Sequence, residues 1–456
     1  MVKANDKRFP KHTAGSDKPT ISTVKSDSAT PGQKLERERN PFKRVLQMLG
    51  PGFITGASDD DPSGIGTYAV AGAQFGFAPL WLALFTFPLM TAIQFISGKI
   101  GMVSGMGLSG VLRQHYSRWI LYPAVLALLI ANTINAGADI GAVAAAINLL
   151  VPKIPIVAMI VPVTIIILIV QIWGSYRLIA KTFKWLALAL VAYIGSSLLA
   201  KPDWMQVLKG TFIPTLHFDG DFITMVVAVL GTTISPYLWF WQANQNVEEE
   251  ISLGRQTLDM RKGATNEELR YAAVDTGIGM FFSNMVMYFI ILATAATLHA
   301  TGQTSIESAT DAAKALEPLA GKASSILLAV GLIGAGFLAI PILTGSSSYA
   351  VAEAFGWKRG LDEKPRRAKA FYAIIAASTL VGMLINFVGI NPITALFWTA
   401  VINGVLAAPI LVLIMLVSNN KKVMGERVNG FSINIFGWIT TAVMAAATIA
   451  LFLTWK

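Results

Sequence analysis

Residues 57–66 read ASDDDPSGIG, three consecutive aspartates followed by a proline and two glycines. The flanking sequences, MLGPGFITGAS at 48–58 and IGTYAVAGAQFGFAPLW at 65–81, are apolar or small. Carboxylates beside a proline are also typical of a loop or a helix cap, but apolar flanks on both sides favour a position inside a membrane. A charge near the middle of a bilayer costs roughly 3 kcal/mol, so the three carboxylates cannot all face lipid. Because a broken membrane helix persists only against protein or a water-filled cavity, the stretch predicts a helix break that lines a polar cavity.

The composition of the whole chain is that of a membrane protein: of 456 residues, 54% are hydrophobic and only 14% are charged. Apolar runs of about 20 residues, the length that crosses the hydrocarbon core, recur from about residue 42 to the C-terminus. They predict an all-α integral membrane protein with about eleven transmembrane helices. The predicted spans are 45–75, 79–101, 119–150, 154–174, 181–200, 221–248, 271–298, 322–354, 368–388, 392–418 and 433–454.

Lysine and arginine are concentrated in alternate connections between these spans: the N-terminal tail, 99–118, 177–184, 255–270, 358–369 and 421–427. By the positive-inside rule these connections face the cytoplasm, which places the N-terminus in the cytoplasm and the C-terminus outside. The net charge of +10 then reflects topology and attraction to an anionic inner leaflet, and no nucleic-acid partner is expected. We expect a multi-pass protein of the plasma membrane, embedded in the lipid bilayer as a monomer.

The segment before the first span differs in composition from the rest. Residues 1–41 are rich in Lys, Ser, Thr, Asp and Pro and nearly lack large apolar residues, which predicts a disordered cytoplasmic tail. No apolar h-region precedes residue 45, so no signal peptide is expected. The chain has no cysteine, which excludes a disulfide framework and a thiolate metal site.

A second break is predicted in the sixth span, MVVAVLGTTISPYLWFWQANQN at 225–246, where Gly231, Ser235 and Pro236 interrupt the apolar run. Two broken helices five spans apart indicate a transporter built from inverted repeats, with substrate bound near the midplane by freed backbone carbonyls. The predicted transport core is 42–418, divided into repeats 42–200 and 221–418. Residues 419–456 then form an additional C-terminal transmembrane helix.

The sequence of the first span, GPGFITGASDDDPSGIGTYAVAGAQFGFAPLW at 50–81, resembles the NRAMP family of divalent-metal transporters, whose motif there is Asp-Pro-Gly-Asn. LINFVGINP at 384–392 and the sixth span extend the likeness over most of 42–418. The resemblance implies a LeuT-type fold of five plus five helices with one extra helix. It also implies metal-ion transport by alternating access, usually of Mn²⁺ and Fe²⁺ with proton co-transport.

The resemblance carries over to individual positions, with several departures. Asp61 takes the place of the family's metal-ligating aspartate, whereas Ser63 replaces its glycine and Gly64 its ligating asparagine. In the sixth span, the family's Ala-x-x-Met-Pro-His becomes Thr232, Ser235, Pro236 and Tyr237, so the thioether ligand is lost. Elsewhere, Gln242 occupies the position where the family often has a second histidine, and Asp139 the position of the family's glutamate on the proton path. Thr399 and Asn403 are the polar residues nearest to the position of the family's usual glutamine in span 10.

These departures predict a metal site made only of oxygen ligands. Neighbouring helical residues point about 100° apart, so the three aspartates cannot all line one site, and Asp61 at the break is the main candidate. The four histidines lie in the tail or near span ends, which argues against a dedicated Zn²⁺, Cu⁺ or Ni²⁺ site. Candidate ligands are Asp61, Asp60, Ser235, Thr232, Thr233, Gly64 and Tyr237. Candidates for the pathway or a proton relay are Asp59, Asp139, Gln242, Thr399 and Asn403.

Carboxylate, hydroxyl and carbonyl oxygens favour hard ions, so the sequence predicts transport of Mg²⁺ or Mn²⁺, partly hydrated, with no resident cofactor. Proton coupling is uncertain, because the family's histidines are missing and Asp139 is the main remaining relay group. One alternative is an ordinary proton-coupled Mn²⁺/Fe²⁺ importer. Others are a carrier of the same fold for an organic solute such as an amino acid, and a non-transporting sensor. An enzyme is disfavoured because no nucleophile and base pair or phosphate loop occurs in the short connections.

Overall fold

The computed structural model describes residues 50–174, 188–361 and 363–455. Within these ranges all regular structure is helical. The predicted tail at 1–41 lies outside the described residues, as do the basic residues of the 177–184 group.

The first span is broken where the sequence predicts. Helix α1 (Pro51–Asp59) ends as Asp60 leaves helical geometry, and α2 (Pro62–Phe75) begins two residues later. Between them Asp61 is extended, with φ −70° and ψ 167°, and its side chain accepts a hydrogen bond from the backbone N–H of Gly64. Aspartate is a favoured N-cap and proline a favoured first helical residue, so the Asp-Pro pair both ends one helix and starts the next.

The sixth span is broken in the same way. Helix α9 ends at Thr233, α10 begins at Pro236, and Ser235 between them is extended, with φ −89° and ψ 130°. The Ser235 hydroxyl donates to the carbonyls of Gly231 (2.7 Å) and Thr232 (2.8 Å). A break in a membrane helix leaves carbonyls that lipid cannot satisfy, and here a side chain at the break satisfies two of them.

The remaining helices complete a bundle that surrounds the two breaks. In chain order the described helices are α1 (Pro51–Asp59), α2 (Pro62–Phe75), α3 (Leu80–Ser104), α4 (Leu108–His115), α5 (Arg118–Leu150), α6 (Ile156–Trp173), α7 (Ala192–Leu199, after a 3-10 turn at Leu188–Val191), α8 (Trp204–Phe212), α9 (Gly220–Thr233), α10 (Pro236–Ser252), α11 (Leu258–Arg261), α12 (Asn266–Thr297), α13 (Ala309–Lys314), α14 (Glu317–Ala320), α15 (Ser324–Phe355), α16 (Lys369–Ile385), α17 (Pro392–Ser418), α18 (Lys421–Met424) and α19 (Phe431–Thr454).

Among the described residues, nine helical segments are long and apolar enough to cross a membrane, with the broken segment Gly220–Ser252 counted as one of them. The other two predicted spans do not form single long helices there. Span 45–75 is divided into the short helices α1 and α2, and span 181–200 extends beyond the described residues. The count of eleven spans and the repeat boundaries at 42–200 and 221–418 stay predictions.

The connections rich in lysine and arginine meet at one end of the bundle, here called the basic end. Arg261 Nε donates to the carbonyl of Gly105 (3.3 Å), and Lys99 Nζ donates to the carbonyl of Val428 (3.0 Å). Further contacts between these connections are Gly263 N–H to the Val103 carbonyl, Gly107 N–H to the Glu353 carboxylate, and Arg427 to Asn266. The four basic connections within the described residues therefore share one end of the protein.

The sparsely basic connections meet at the opposite end, here called the far end. His299 Nδ1 lies 2.9 Å from the carbonyl of Ala73, and a Cβ placed on Gly220 would lie 3.0 Å from the carbonyl oxygen of Thr454. The last helix therefore finishes at the far end. Helix α1 starts at the basic end, because the backbone N–H of Gly50 donates to Asp275 in the first part of α12. An odd number of crossings fits these two positions.

Each broken helix is held by a close crossing with a continuous helix. On α1, a Cβ added to Gly56 would lie 2.2 Å from the carbonyl carbon of Gly279 on α12. On α9, a Cβ added to Gly231 would lie 2.1 Å from the carbonyl oxygen of Ala400 on α17. Small residues let membrane helices approach until their backbones touch, so these glycines fix the two breaks within the bundle.

Two glycines on α12 offer a direct test of this packing. A Cβ at Gly279 would lie 2.5 Å from the carbonyl oxygen of Gly52, whereas a Cβ at Gly277 would meet nothing within 4 Å. We expect Gly279→Ala to destabilise the protein by about 1–3 kcal/mol through overpacking. Gly277→Ala should be neutral or stabilising, because alanine is the better helix former. Thermal unfolding of the purified variants checks this, and equal melting temperatures would contradict the crossing.

Candidate metal centre

Asp61 is the centre of the candidate site, and its side chain is almost fully buried, at 1% exposure. One carboxylate oxygen, Oδ1, accepts from the backbone N–H of Gly64 (2.7 Å) and from the hydroxyl of Ser63 (2.8 Å). The other, Oδ2, accepts from Asn135 Nδ2 on α5 at 3.3 Å. The carboxylate is therefore oriented by donors from both its own break and a neighbouring helix, while lone pairs on Oδ2 stay available to a cation.

The two helix breaks face each other across Gly64. A Cβ added to this glycine would lie 3.1 Å from Thr232 Oγ1 and 3.3 Å from both Asp61 Oδ1 and the carbonyl oxygen of Asp59. These three oxygen-bearing groups could not approach residue 64 this closely if it carried a side chain. Gly64 thus supplies no side-chain ligand, and its absence of a side chain leaves space among the oxygens of the site.

Hydroxyl groups near the breaks are oriented with their hydrogens away from the centre. Ser235 donates to carbonyls of α9, and Thr233 donates to the Val229 carbonyl at 2.8 Å. Thr399 on α17 likewise donates to the Leu396 carbonyl at 2.7 Å. A hydroxyl that donates to its own helix keeps its oxygen lone pairs as acceptors. Such oxygens suit hard cations better than soft ones.

Asp139 and Tyr237 are also buried close to the centre. Both carboxyl oxygens of Asp139 are buried, no described side chain donates to them, and the backbone N–H of Ser63 lies close by. Tyr237 Oη donates to the carbonyl of Ser58 at 3.4 Å, which holds the ring against the end of α1. Asp139 therefore adds a second buried carboxyl group beside Asp61.

Asp59 and Asp60 are directed to another helix. The Ser283 hydroxyl on α12 donates to Asp59 Oδ2 at 2.5 Å and to Asp60 Oδ1 at 3.3 Å. Both side chains are buried, and Asp59 Oδ1 has no hydrogen-bond partner in the described structure. The three aspartates therefore divide between two neighbours, Asp61 toward α5 and the other two toward α12.

Gln242 and Asn403 lie farther along the helices that carry the site. Gln242 Oε1 accepts from the Thr55 hydroxyl (2.6 Å), and its Nε2 donates to Asn246 (2.8 Å). Gln242 therefore joins α10 to α1 on the basic side of the break. Asn403 is buried on α17, and its Nδ2 has no hydrogen-bond partner in the described structure.

Three buried polar residues outside the set of candidate site residues also position the site. Asn135 bonds Asp61, and Ser283 bonds Asp59 and Asp60, as described above. Asp275 caps α1, accepting from the backbone N–H groups of Gly50 (2.8 Å), Gly52 (2.7 Å) and Phe53 (3.1 Å). Buried polar residues inside spans are the signal that marks them, but the sequence does not identify the partner of each.

The electrostatic balance of the centre calls for a cation. The carboxyl groups of Asp59, Asp60, Asp61 and Asp139 are all buried, and Lys99 is the only buried basic side chain in the described ranges. Lys99 bonds the Val428 carbonyl at the basic end and does not offset these groups. In the described part of the chain, no three His, Cys, Asp or Glu side chains form a chelating cluster. The site therefore combines Asp61 with neutral oxygens.

Comparisons with known proteins agree with this architecture. The Nramp family model, described as natural resistance-associated macrophage protein-like, matches residues 52–454. The divalent metal cation transporter MntH of Brucella suis is 26% identical over 426 residues, covering 92% of this chain and 90% of that protein. MntH of Bacillus subtilis is 25% identical over 423 residues, covering 91% and 94%.

Two solved structures show the fold. The manganese transporter of Eremococcus coleocola, in complex with an aromatic bis-isothiourea substituted compound, has a TM-score of 0.71 at 18% identity, covering 91% of this chain and 88% of that chain. The nucleobase-cation-symport-1 transporter Mhp1, in a closed conformation, has a TM-score of 0.56 at 16% identity, covering 89% and 91%. The all-α, LeuT-type fold that the family resemblance implies is confirmed.

The hydrogen bond between Asn135 and Asp61 gives a prediction about cation binding. Asn135→Ala should weaken Mn²⁺ binding about tenfold, because a hydrogen bond to a charged group contributes roughly 1.5 kcal/mol or more. Calorimetric titration of the purified protein measures the affinity. Asn132→Ala is the matched control, since Asn132 Nδ2 donates to Ser346 and Ser347 on α15 instead of to the site. Equal losses in both variants would show that Asn135 has no positioning role.

Proposed function

The chain belongs to the Nramp family of transporters, and from this premise we propose that it carries divalent metal cations across the membrane by alternating access around Asp61. The observation that supports this most is the buried Asp61 carboxylate between two helix breaks, with no basic side chain to neutralise it. Curated relatives named divalent metal cation transporters cover most of the chain. Membership of a transporter family also agrees with the absence of an enzymatic motif in the sequence.

We infer that the transported ion is hard, with Mg²⁺ and Mn²⁺ the preferred candidates. The donors proposed for it are Asp61 Oδ2, the hydroxyl oxygens of Thr232, Thr233 and Ser235, and backbone carbonyls at the breaks. The phenol of Tyr237 and the carboxylate of Asp60 complete the proposed surroundings. Because Gly64 leaves space at the centre, the ion can keep part of its hydration shell, as Mg²⁺ tends to do. Asp59, Asp139, Gln242, Thr399 and Asn403 are proposed to line the pathway.

Proton coupling separates this proposal from the second candidate, an ordinary proton-coupled Mn²⁺/Fe²⁺ importer. The two positions that resemble the family's histidines hold Tyr237 and Gln242, neither of which exchanges protons readily near neutral pH. The described histidines, His115, His217 and His299, are exposed and lie outside the centre. We therefore favour flux without obligatory proton co-transport, with Asp139 as the relay if coupling exists.

An amino-acid carrier of the same fold is disfavoured by the charge of the centre. In such a carrier the helix N-termini at the breaks would receive the substrate carboxylate. Here the N-terminus of α2 is already capped by Asp61, and Asp59, Asp60 and Asp139 lie close by. A substrate carboxylate would meet these like charges. A sensor that binds ions without moving them would differ from a carrier in showing no flux.

For the orientation, we propose that the basic end faces the cytoplasm of a plasma-membrane protein. The lysine and arginine residues gathered at that end support this by the positive-inside rule. The N-terminus is then cytoplasmic and the C-terminus, beyond α19, is outside. We propose that a single chain embedded in the lipid bilayer is the transporting unit, because both breaks and all proposed ligands belong to one chain.

Transport in proteoliposomes tests the main proposal. Wild-type protein should take up Mn²⁺, Mg²⁺ should compete at comparable concentration, and the internal pH should stay constant. Asp61→Ala should lower the initial uptake at least tenfold, because the site loses its oriented carboxylate. Asp259→Asn, which removes an exposed carboxylate at the basic end, is the control and should transport normally.

Other results of the same assay distinguish the alternatives. Uptake of Mn²⁺ with internal acidification, unaffected by excess Mg²⁺, would favour the proton-coupled importer. Binding of ions without any flux would favour the sensor. Full activity in Asp61→Ala would remove Asp61 from the centre of the mechanism.

A substitution at Ser235 tests the effect of ligand softness. Ser235→Met introduces the thioether that the family motif carries, and soft ligands favour softer metals. We expect the preference for Cd²⁺ over Mg²⁺ to rise about tenfold in competition against Mn²⁺ uptake. Ser235→Leu is the matched control, because it has similar bulk and no sulfur. If both variants shift the preference equally, the size of the side chain is the cause and the softness argument fails.

A further inference from the structure

Helix α8 (Trp204–Phe212) lies in a connection at the far end and is firmly docked. Val207, Gly210 and Thr211 are buried against the bundle. A Cβ added to Gly210 would lie 2.2 Å from the carbonyl oxygen of Phe77, and the Thr211 hydroxyl lies 2.9 Å from Tyr288 Oη on α12. These contacts define the side of α8 that faces the bundle, and the remaining sides are not packed against other helices in the described ranges.

One uncovered side is strongly apolar. Trp204, Leu208 and Phe212, spaced four residues apart, are 49%, 52% and 62% exposed, and Met205 is 62% exposed. These large apolar side chains lie in a connection between spans, so their exposure is not explained by lipid contacts of a transmembrane helix. A helix at a membrane end with one apolar side and one polar side is typical of an interfacial helix, which lies in the plane of the headgroups.

The other uncovered side borders a groove of about 760 Å³, here called the α8 groove. Its walls are α8, the connection from Phe75 to Ala78, and the end of α12 near His299. The charged side chains that line it are Lys201, Asp203 and Lys209. The α8 groove is therefore walled by the outer ends of two spans and by the interfacial helix.

The two lysines of the α8 groove outnumber its one acidic side chain, Asp203, which interacts electrostatically with Lys209. Asp203 is the N-cap of α8 and accepts from the backbone N–H groups of Met205 (3.0 Å) and Gln206 (3.3 Å) and from Gln206 Nε2 (2.9 Å). The backbone and side-chain bonds from Gln206 lower the pKa of Asp203 below its usual value. Neither Lys201 nor Lys209 forms a salt bridge within the described ranges. Two lysines against one aspartate leave the groove with more positive than negative side chains.

Lys201 is held in an unusual backbone conformation. Its φ of +50° is the one positive value among the described residues other than glycine. A left-handed conformation costs a residue with a Cβ about 1 kcal/mol or more, and strain of this kind is concentrated at functional sites. The strained residue, Lys201, is itself one of the residues that line the α8 groove.

We propose that the α8 groove binds an anionic phospholipid of the adjacent leaflet, with the phosphate on Lys201 and Lys209 and the acyl chains along Trp204, Leu208 and Phe212. The positive groove and the apolar side lie on one helix, as the polar and apolar parts of one lipid require. Because the groove is walled by the end of α2 and the end of α12, bound lipid would brace the outer ends of two helices that carry the metal centre.

Native mass spectrometry of the full chain, purified from bilayers with equal amounts of phosphatidylglycerol and phosphatidylcholine, tests the proposal. Wild-type protein should retain phosphatidylglycerol with about a tenfold preference. The double variant Lys201→Gln with Lys209→Gln should show a preference near one. Lys153→Gln with Lys322→Gln, which changes two exposed lysines outside the groove, should behave as wild type. The readout is bound lipid mass, so the result is independent of whether the protein transports metal ions.

A second pair of variants separates a lipid site from other possibilities. Lys201→Gly relieves the backbone strain, and it should fold with equal or higher thermal stability while losing part of the preference. Leu208→Ser with Phe212→Ser should also lower retention of phosphatidylglycerol, because the acyl chains lose their contact surface.

The proposal is overturned if the variant Lys201→Gln with Lys209→Gln keeps the wild-type preference for phosphatidylglycerol. It is also overturned if soluble glycerophosphate binds as well as the lipid, which would indicate a free-anion site. A dimer that dissociates in Leu208→Ser with Phe212→Ser would assign the apolar side to a second copy.

Discussion

The structure depends on the burial of four carboxyl groups in a region where the described residues place no basic side chain. Asp59, Asp60, Asp61 and Asp139 are buried in the middle of the bundle. An isolated charge in such a place is very costly, so each oxygen has to be hydrogen-bonded, matched by a cation or protonated. The protein provides side-chain donors for Asp61, Asp59 and Asp60 but none for Asp139 within the described residues. A cation or a proton is then needed to complete the site.

This constraint explains why the helices are broken at these positions. In a continuous helix, the backbone amides and carbonyls would all bond within the helix. No backbone N–H group would then be free to donate to a buried carboxylate. At the breaks, the amide of Gly64 is released to orient Asp61, and Ser235 satisfies the carbonyls of Gly231 and Thr232. Breaking a helix also weakens it mechanically. The glycine crossings with α12 and α17 compensate for this loss of rigidity. At each crossing the broken helix contacts the continuous helix through its backbone, which is less flexible than a side-chain contact.

The sequence predicted both helix breaks and the position of Asp61 at the first of them. These features are local: Asp-Pro and Ser-Pro pairs, apolar run lengths and charge distribution are all read along the chain. The partners of the buried groups could not be predicted in this way. Asn135 and Ser283 are 74 and 224 residues from the aspartates they bond, and only the packing of the helices brings them together. The rotation of 100° per residue did predict that the three aspartates would not share one neighbour.

The interfacial helix α8 was missed for a related reason. Its nine residues are too short to cross a membrane, so a search for spans treats 201–220 as a polar connection. Its exposed tryptophan, leucine and phenylalanine have meaning only once the docked side is known, because the same residues could equally have been core. The docked side is defined by Gly210 and Thr211, whose contacts lie on other elements. A helix with one side buried against the bundle and another side of exposed apolar residues is therefore expected to contact lipid. A helix that only connects two spans would lack the exposed apolar side.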